Sequence, residues 1–327
     1  MEPFPSGYRE DLFQRAEKFL CFEDFIQHAL GLKPHIAWSL AGRTMMFNVK
    51  SHSWEPEILE SVGLSPSKLA TPVPSGMVVG RISPVIARGL GFSGEVIVVS
   101  GGHDQPMVAL GAGVIDPGMA MYATGTSECI TPAFQEPVMS EALMWNNLCT
   151  YDHTISGMYT TVSFSLTGGN ILRWFRDEWG RIEVPGAIFG LRLATKREQV
   201  LRSLLEGVAF EMKLNLEILA QSGIHIDELR PIGGGGAKST PWIQLKADVL
   251  DIPMTKVQVT EAACFAGAML ACSARTGEPI GSIVKRWVKT GRVIKPDREN
   301  ADFYGEQFER YKKLYPSLKE VMKGALP

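Results

Sequence analysis

A chain of 327 residues, 45% hydrophobic and 21% charged, is composed like a folded globular protein and not like a disordered or collagen-like one. Thirty-three Lys and Arg against 35 Asp and Glu leave a net charge of −2, which argues against a broad basic surface for nucleic acid and favours small-molecule chemistry. No apolar run reaches the roughly eighteen residues of a membrane span, so no membrane partner is expected. The start, MEPFPSGYREDL, lacks the basic-then-apolar pattern of a signal peptide. The five cysteines, Cys21, Cys129, Cys149, Cys264 and Cys272, are odd in number and never spaced CxxC. They read as free thiols of a cytoplasmic protein, not as a disulfide framework or a zinc site. The length suggests two domains.

In chain order, residues 8–30 read as an amphipathic helix with a wide apolar face of Phe19, Leu20, Phe22, Phe25, Ile26 and Leu30. A second short helix covers 55–64, and the Pro/Ser-rich stretch after it has neither helix nor strand pattern. EVIVVS, residues 95–100, reads as a buried strand, and MVALGAGV after it as a helix packed through small residues. MAMYAT (119–124) is a strand, SGMYTTVSF a strand candidate, and NILRWFRDEWG a helix whose Trp174 and Trp179 read as core. Residues 195–222 form the longest helical pattern. ELRPIGGGGAKSTPWIQLKADVLDIPMTKV reads strand, glycine loop, helix, strand. EAACFAGAMLACSA is a small-residue helix, and the tail from Asn300 is a polar amphipathic one. Strands alternating with glycine turns and helices indicate α/β class, in which ligands sit at the carboxyl ends of strands.

Three turns therefore stand out. In Gly102-His103-Asp104-Gln105 the Asp is a candidate general base or ligand-hydroxyl acceptor; it would equally serve to cap the following helix. In Ala123-Thr124-Gly125-Thr126-Ser127, backbone N–H groups and hydroxyls could cradle phosphate oxygens, or form an ordinary hairpin turn. Gly233 to Gly236, followed by Ala237 and Lys238, suggests a flat or anionic group lying against bare backbone, or else a tight packed turn. It matches neither GxxxxGK[ST] nor GxGxxG. No HExxH or GxSxG occurs, and no residue is assigned to a metal.

The order and spacing of VVSGGHDQPMVALGAG, MYATGTSE, GGNILRWFRDE, LLEGVAFEMKLNLEIL and PIGGGGAKSTPWIQLKADVLDIPMTKV resemble the FGGY family of carbohydrate kinases. The resemblance implies the actin-like ATPase (ribonuclease H-like) fold, in its C-terminal lobe plus part of an N-terminal lobe. It divides the chain into a sugar-binding remainder, residues 1–100, and an ATP-binding lobe, residues 101–327. It implies ATP and Mg²⁺ as cofactors and a sugar or polyol as substrate, and it admits a homodimer. Asp104 falls on the catalytic base, Gln105 and His103 beside the substrate. Gly125 and Thr126 fall on the loop that contacts the β- and γ-phosphates, Gly169 and Arg173 near the nucleotide. Gly235, Gly236, Ala237 and Thr240 fall on the loop against adenosine.

The chain departs from the family pattern in two places. It contains no Asp-x-Gly-Thr phosphate loop, and WGRIEVPGAIFGL crosses a stretch where the family has a longer segment. The expectation is thus a sugar or polyol kinase that lacks an N-terminal portion and a short internal segment. The alternative is a catalytically inactive nucleotide-binding homologue or fragment.

Overall fold

The computed structural model describes residues 10–171 and 190–323. Its first part is a string of short elements. Helices α1 (Glu10–Arg15) and α2 (Phe22–Ala29) replace the single helix expected over residues 8–30. The chain between them is drawn out: Phe19 N–H donates to the Lys68 carbonyl at 2.8 Å, and Lys18 Nζ donates to the Ser67 carbonyl at 2.6 Å. The face of α2 is also inverted. Phe22, Phe25 and Ile26 are 87%, 53% and 57% exposed, while Asp24 and Gln27 are buried. Hydrogen bonding explains why the polar side turns inward. Asp24 accepts from the Cys21 N–H at 3.0 Å, closing the helix start. The Gln27 amide pairs with both backbone groups of His35, at 2.8 and 2.9 Å, in the manner of a neighbouring strand.

Next come β1 (His35–Ala37), α3 (Trp38–Ala41), the hairpin β2 (Phe47–Asn48) and β3 (Ser53–Trp54), and α4 (Pro56–Ser61). Strand β4 (Thr71–Val73) pairs in parallel with β1, inside the Pro/Ser-rich stretch read as having no strand pattern. Pro72 is tolerated because this ribbon has only two strands, so one edge needs no donor. After β5 (Val78–Arg81) and α5 (Pro84–Gly89), the apolar run 95–100 supplies β6 (Ile97–Val99). It is half-buried, not buried, because among the described residues its one partner is β5, antiparallel.

Helix α6 (Asp104–Gly111) leads to β7 (Met119–Thr124) and β8 (Glu128–Pro132). Then follow α7 (Glu141–Trp145), β9 (Tyr151–Asp152), β10 (Tyr159–Thr160) and β11 (Ser163–Ser165); the last two divide the one strand expected over SGMYTTVSF. From residue 172 to 189, the helix expected over NILRWFRDEWG lies outside the described residues, and Arg173 with it. The remaining elements are α8 (Arg197–Gln221), β12 (Glu228–Ile232), α9 (Gly235–Lys238), α10 (Thr240–Leu250), β13 (Met254–Val257), α11 (Ala262–Thr276), α12 (Ile280–Trp287), β14 (Thr290–Ile294) and α13 (Arg298–Lys323).

Among the described residues one sheet has six strands, in the order β11-β8-β7-β12-β13-β14. Its centre is parallel: β12 runs beside β7 from Glu228↔Met119 to Ile232↔Ala123, and β13 runs parallel to β12. Helices cover both faces, as parallel strands require. On one face Phe210, Leu219, Ile243, Ala247, Tyr304 and Phe308 from α8, α10 and α13 form the larger core. On the other, α6, α11 and α12 pack through Leu110, Ala266, Met269 and Ile283. Helices α6 and α11 cross so closely that a Cβ on Gly111 would overlap the Ala262 carbonyl oxygen. No helix among the described residues is long and apolar enough to cross a membrane.

Gly111→Ala therefore forces backbone against backbone, which a rotamer change cannot relieve. Denaturant unfolding should show a loss of about 2–3 kcal/mol. A loss under about 0.5 kcal/mol, the ordinary scatter of surface changes, would mean the two helices separate without cost.

Candidate active site

The parallel register sets the carboxyl ends of β7 and β12 side by side, so Thr124 ends one strand next to Gly233, which follows the other. Gly233 has φ +129°, a backbone conformation that favours glycine, and a Cβ there would lie 2.5 Å from the Thr124 carbonyl oxygen. A Cβ on Gly236 would lie 2.7 Å from Thr124 Oγ1. Gly234 and Gly235 differ: nothing lies within 4 Å of their would-be Cβ atoms. The glycine run thus has two roles, two residues against Thr124 and two open to a ligand. Its second half coils into α9, where a plain loop was expected, which carries Gly235, Gly236 and Ala237. Thr240 opens α10, and its hydroxyl receives Lys256 Nζ at 3.0 Å.

Gly125, Thr126 and Ser127 form an exposed hairpin turn between β7 and β8, the Gly125 N–H donating to the Ser127 carbonyl at 3.2 Å. The third glycine segment docks on it: the Gly169 N–H donates to the Gly125 carbonyl at 2.7 Å. Gly125, Thr126, Gly169, Gly235 and Gly236 therefore gather around Thr124. An exposed turn and an open glycine face suit the phosphates and the flat adenosine of ATP. For Mg²⁺ the described residues offer no group of three or more His, Cys, Asp or Glu.

Asp104 is the first residue of α6, and His103 takes the N-cap position. The Asp104 side chain is 69% exposed, and its Oδ1 accepts the Gln105 N–H at 2.7 Å. His103 Nε2 lies 3.2 Å from the same oxygen. Burial holds the imidazole below its ordinary pKa, more than the Asp104 charge raises it. Its buried Nδ1 has no hydrogen-bond partner among the described residues. The His103 ring stands edge-on to Tyr151, with centroids 5.8 Å apart. Gln105 is half-buried, and its side-chain carbonyl oxygen is sealed from solvent without a partner. Burial, and after it the Asp104 charge, raise the Cys129 thiol pKa on β8, the strand that follows the Gly125–Ser127 turn.

The turn that presents Asp104 is clamped from the first part of the chain. The His103 N–H donates to Ser39 Oγ at 3.1 Å, and the Gly101 N–H to Glu23 Oε1 at 3.0 Å. The other Glu23 oxygen accepts from the Ala37 N–H at 3.3 Å. Burial raises the Glu23 pKa to about 7, against the lowering effect of these two backbone donors.

A buried network under the Gly125–Ser127 and Gly233–Gly236 turns escaped the sequence reading. Lys246 on α10 and Glu128 at the start of β8 are both fully buried, with Nζ and Oε1 2.5 Å apart. Lys246 Nζ also donates to Thr124 Oγ1 at 2.8 Å, and Tyr122 donates its hydroxyl proton to Glu128 Oε2. The available signal was a lysine inside the apolar run WIQLKADVL.

Residues 8–111 match the N-terminal domain of the FGGY family of carbohydrate kinases, and residues 179–275 match its C-terminal domain. The chain belongs to the FGGY family of carbohydrate kinases. It is similar to xylulose kinase of Staphylococcus epidermidis, 23% identical over 352 residues, covering 96% of this chain and 70% of that protein. It is 25% identical to autoinducer-2 kinase of Yersinia enterocolitica over 358 residues, covering 94% and 67%. Gluconate kinase from Lactobacillus acidophilus superposes with a TM-score of 0.87 at 18% identity, over 95% of this chain and 70% of that one. The fold is thus the actin-like ATPase fold of the FGGY sugar kinases.

Because the folded pKa of Glu23 lies above the ordinary carboxylate value, its contribution to stability is full at acid pH. That contribution is lost as pH rises from about 4.5 through about 7. Thermal melts of Glu23→Gln and the parent should therefore converge, or cross in favour of Glu23→Gln, between pH 5 and pH 8. A difference in melting temperature that stays constant over that range would show Glu23 to be ordinarily ionised.

Proposed function

We propose that this protein transfers the γ-phosphoryl group of ATP to a hydroxyl of a sugar or polyol, with Asp104 as general base. The observation that carries the reading is the pairing of one exposed, hydrogen-bonded carboxylate at the head of α6 with glycine turns gathered at the ends of two parallel strands. The acceptor hydroxyl gives its proton to Asp104 as its oxygen forms the new bond to phosphorus, and ADP departs. ATP supplies the phosphoryl group, and Mg²⁺ lowers the charge on its phosphates. Phosphoryl transfer depends mostly on positioning and charge stabilisation, so one well-placed carboxylate suffices as base.

The remaining roles follow from position. The Gly125 and Thr126 turn faces the β- and γ-phosphates, and Gly169 braces it. Gly235, Gly236, Ala237 and Thr240 line the adenosine side; Arg173, outside the described residues, is assigned to the nucleotide by the family resemblance alone. His103, whose Nε2 lies 3.2 Å from Asp104 Oδ1, steers the carboxylate, and Gln105 stands beside the acceptor. We assign residues 1–100 to the acceptor-binding lobe and residues 101–327 to the nucleotide lobe of a cytoplasmic protein. Relatives named for xylulose, gluconate and autoinducer-2 resemble this chain in sequence or fold, so the acceptor class proposed is a small polyhydroxylated molecule.

ADP release from Mg-ATP, measured over a panel of ketoses, aldoses and polyols, tests the reading. One acceptor should stimulate turnover, and Asp104→Asn should lower kcat by about 10²–10⁴-fold with little change in melting temperature. ATP binding without turnover on any acceptor would replace the kinase reading with that of a nucleotide-binding homologue.

A further inference from the structure

The buried ion pair under the phosphate turn is hard to explain as a source of stability. Lys246 and Glu128 are both 0% exposed at the side chain. Taking two charges out of water costs several kcal/mol per ion, and well-packed apolar residues in the same space are often as stable or more so. Burial indeed lowers the Lys246 pKa to about 8, even with Glu128 in contact.

What the pair achieves is geometric. Thr124 Oγ1 receives Lys246 Nζ at 2.8 Å and Trp242 Nε1–H at 3.3 Å, and it donates its own proton to Glu128 Oε1 at 3.3 Å. Every hydrogen-bonding direction of that hydroxyl is thereby used. Lys246 Nζ also stands over the rings of Tyr122 and Trp242, 4.3 and 4.5 Å from their centroids. The same Thr124 meets both glycine turns: Gly233 lies against its carbonyl, Gly236 against its hydroxyl, and Gly125 follows it in the chain. Gly168, of the third segment, packs on the Glu128 side chain.

We infer that Lys246 is a positioning residue for the nucleotide: through Glu128 and Thr124 it holds the Gly125–Thr126 turn and the Gly233–Gly236 turn at one fixed separation. The inference rests on the kinase reading above, in that it assigns both turns to ATP. A satisfied buried network of this kind selects one arrangement of its neighbours, where an apolar cluster would tolerate several.

Lys246→Met combined with Glu128→Gln tests it, because both charges leave together and Tyr122 keeps an acceptor. Thr124→Val is the second variant, since it cuts the link to the turns and leaves the ion pair intact. Melting temperature, ADP affinity by calorimetry, and hydrogen exchange over residues 124–127 and 233–236 are the readouts. Both variants should stay folded, weaken ADP binding about tenfold or more, and exchange faster at the two turns together. Folded variants that bind ADP within about twofold of the parent, with unchanged exchange at both turns, would falsify the inference. If the parent binds no ADP, the kinase reading fails separately. Exchange then decides alone: joint loosening of the two turns supports the positioning role, and unchanged exchange removes it.

Discussion

The site depends on one backbone pairing. Strands β7 and β12 are parallel neighbours in register from Met119 to Ala123, although more than a hundred residues separate them in the chain. Parallel pairing puts both carboxyl ends at the same edge, where the chain must turn away and leave backbone groups without ladder partners. A ligand can use those groups. The pairing also brings Thr124 against Gly233, and any side chain larger than hydrogen at Gly233 would push the two ends apart.

Around this edge, charge is distributed unevenly. The Gly125–Ser127 turn carries no charged side chain and has an ion pair sealed beneath it, while the glycine run is bordered by Lys238 and by Lys256, whose Nζ donates to the Thr240 hydroxyl. The head of α6 carries an exposed carboxylate, Asp104, which accepts the Gln105 N–H and lies 3.2 Å from His103 Nε2. Its turn is tied to Ser39 and Glu23, so residues far apart in sequence share responsibility for where Asp104 points. A carboxylate in solvent on a firmly held backbone suits the proton transfer proposed for it.

Much of this was legible from local patterns. The long helix α8 spans Arg197–Gln221, close to its periodic signal, and strand, glycine turn and helix follow each other over 228–257 as their composition implies. The three turns were legible as turns, and the family resemblance supplied their order. Their gathering at one place was not legible, because it is set by the strand register. Helix α2 misled the reading for a different reason. An apolar stripe predicts a buried face only when nothing better competes, and here the Gln27 amide and Asp24 carboxylate find backbone partners that hold their side of the helix inward. Lys246 and Glu128 stayed hidden because a charge in an apolar run shows its meaning only when its distant partner is known. The same is true of Glu23, whose two backbone donors come from Ala37 and Gly101.

The tight crossing of α6 on α11 has a consequence for accuracy. Helix α6 is eight residues long, about 12 Å at 1.5 Å per residue, with Gly111 wedged at one end and Asp104 at the other. It behaves as a short lever whose fulcrum cannot slip. A tilt of about 5° at the crossing would swing the carboxylate by about 1 Å, a displacement large enough to cost an enzyme on the order of a hundredfold in rate. The missing methyl group of Gly111 thus sets the aim of a carboxylate a full helix length away.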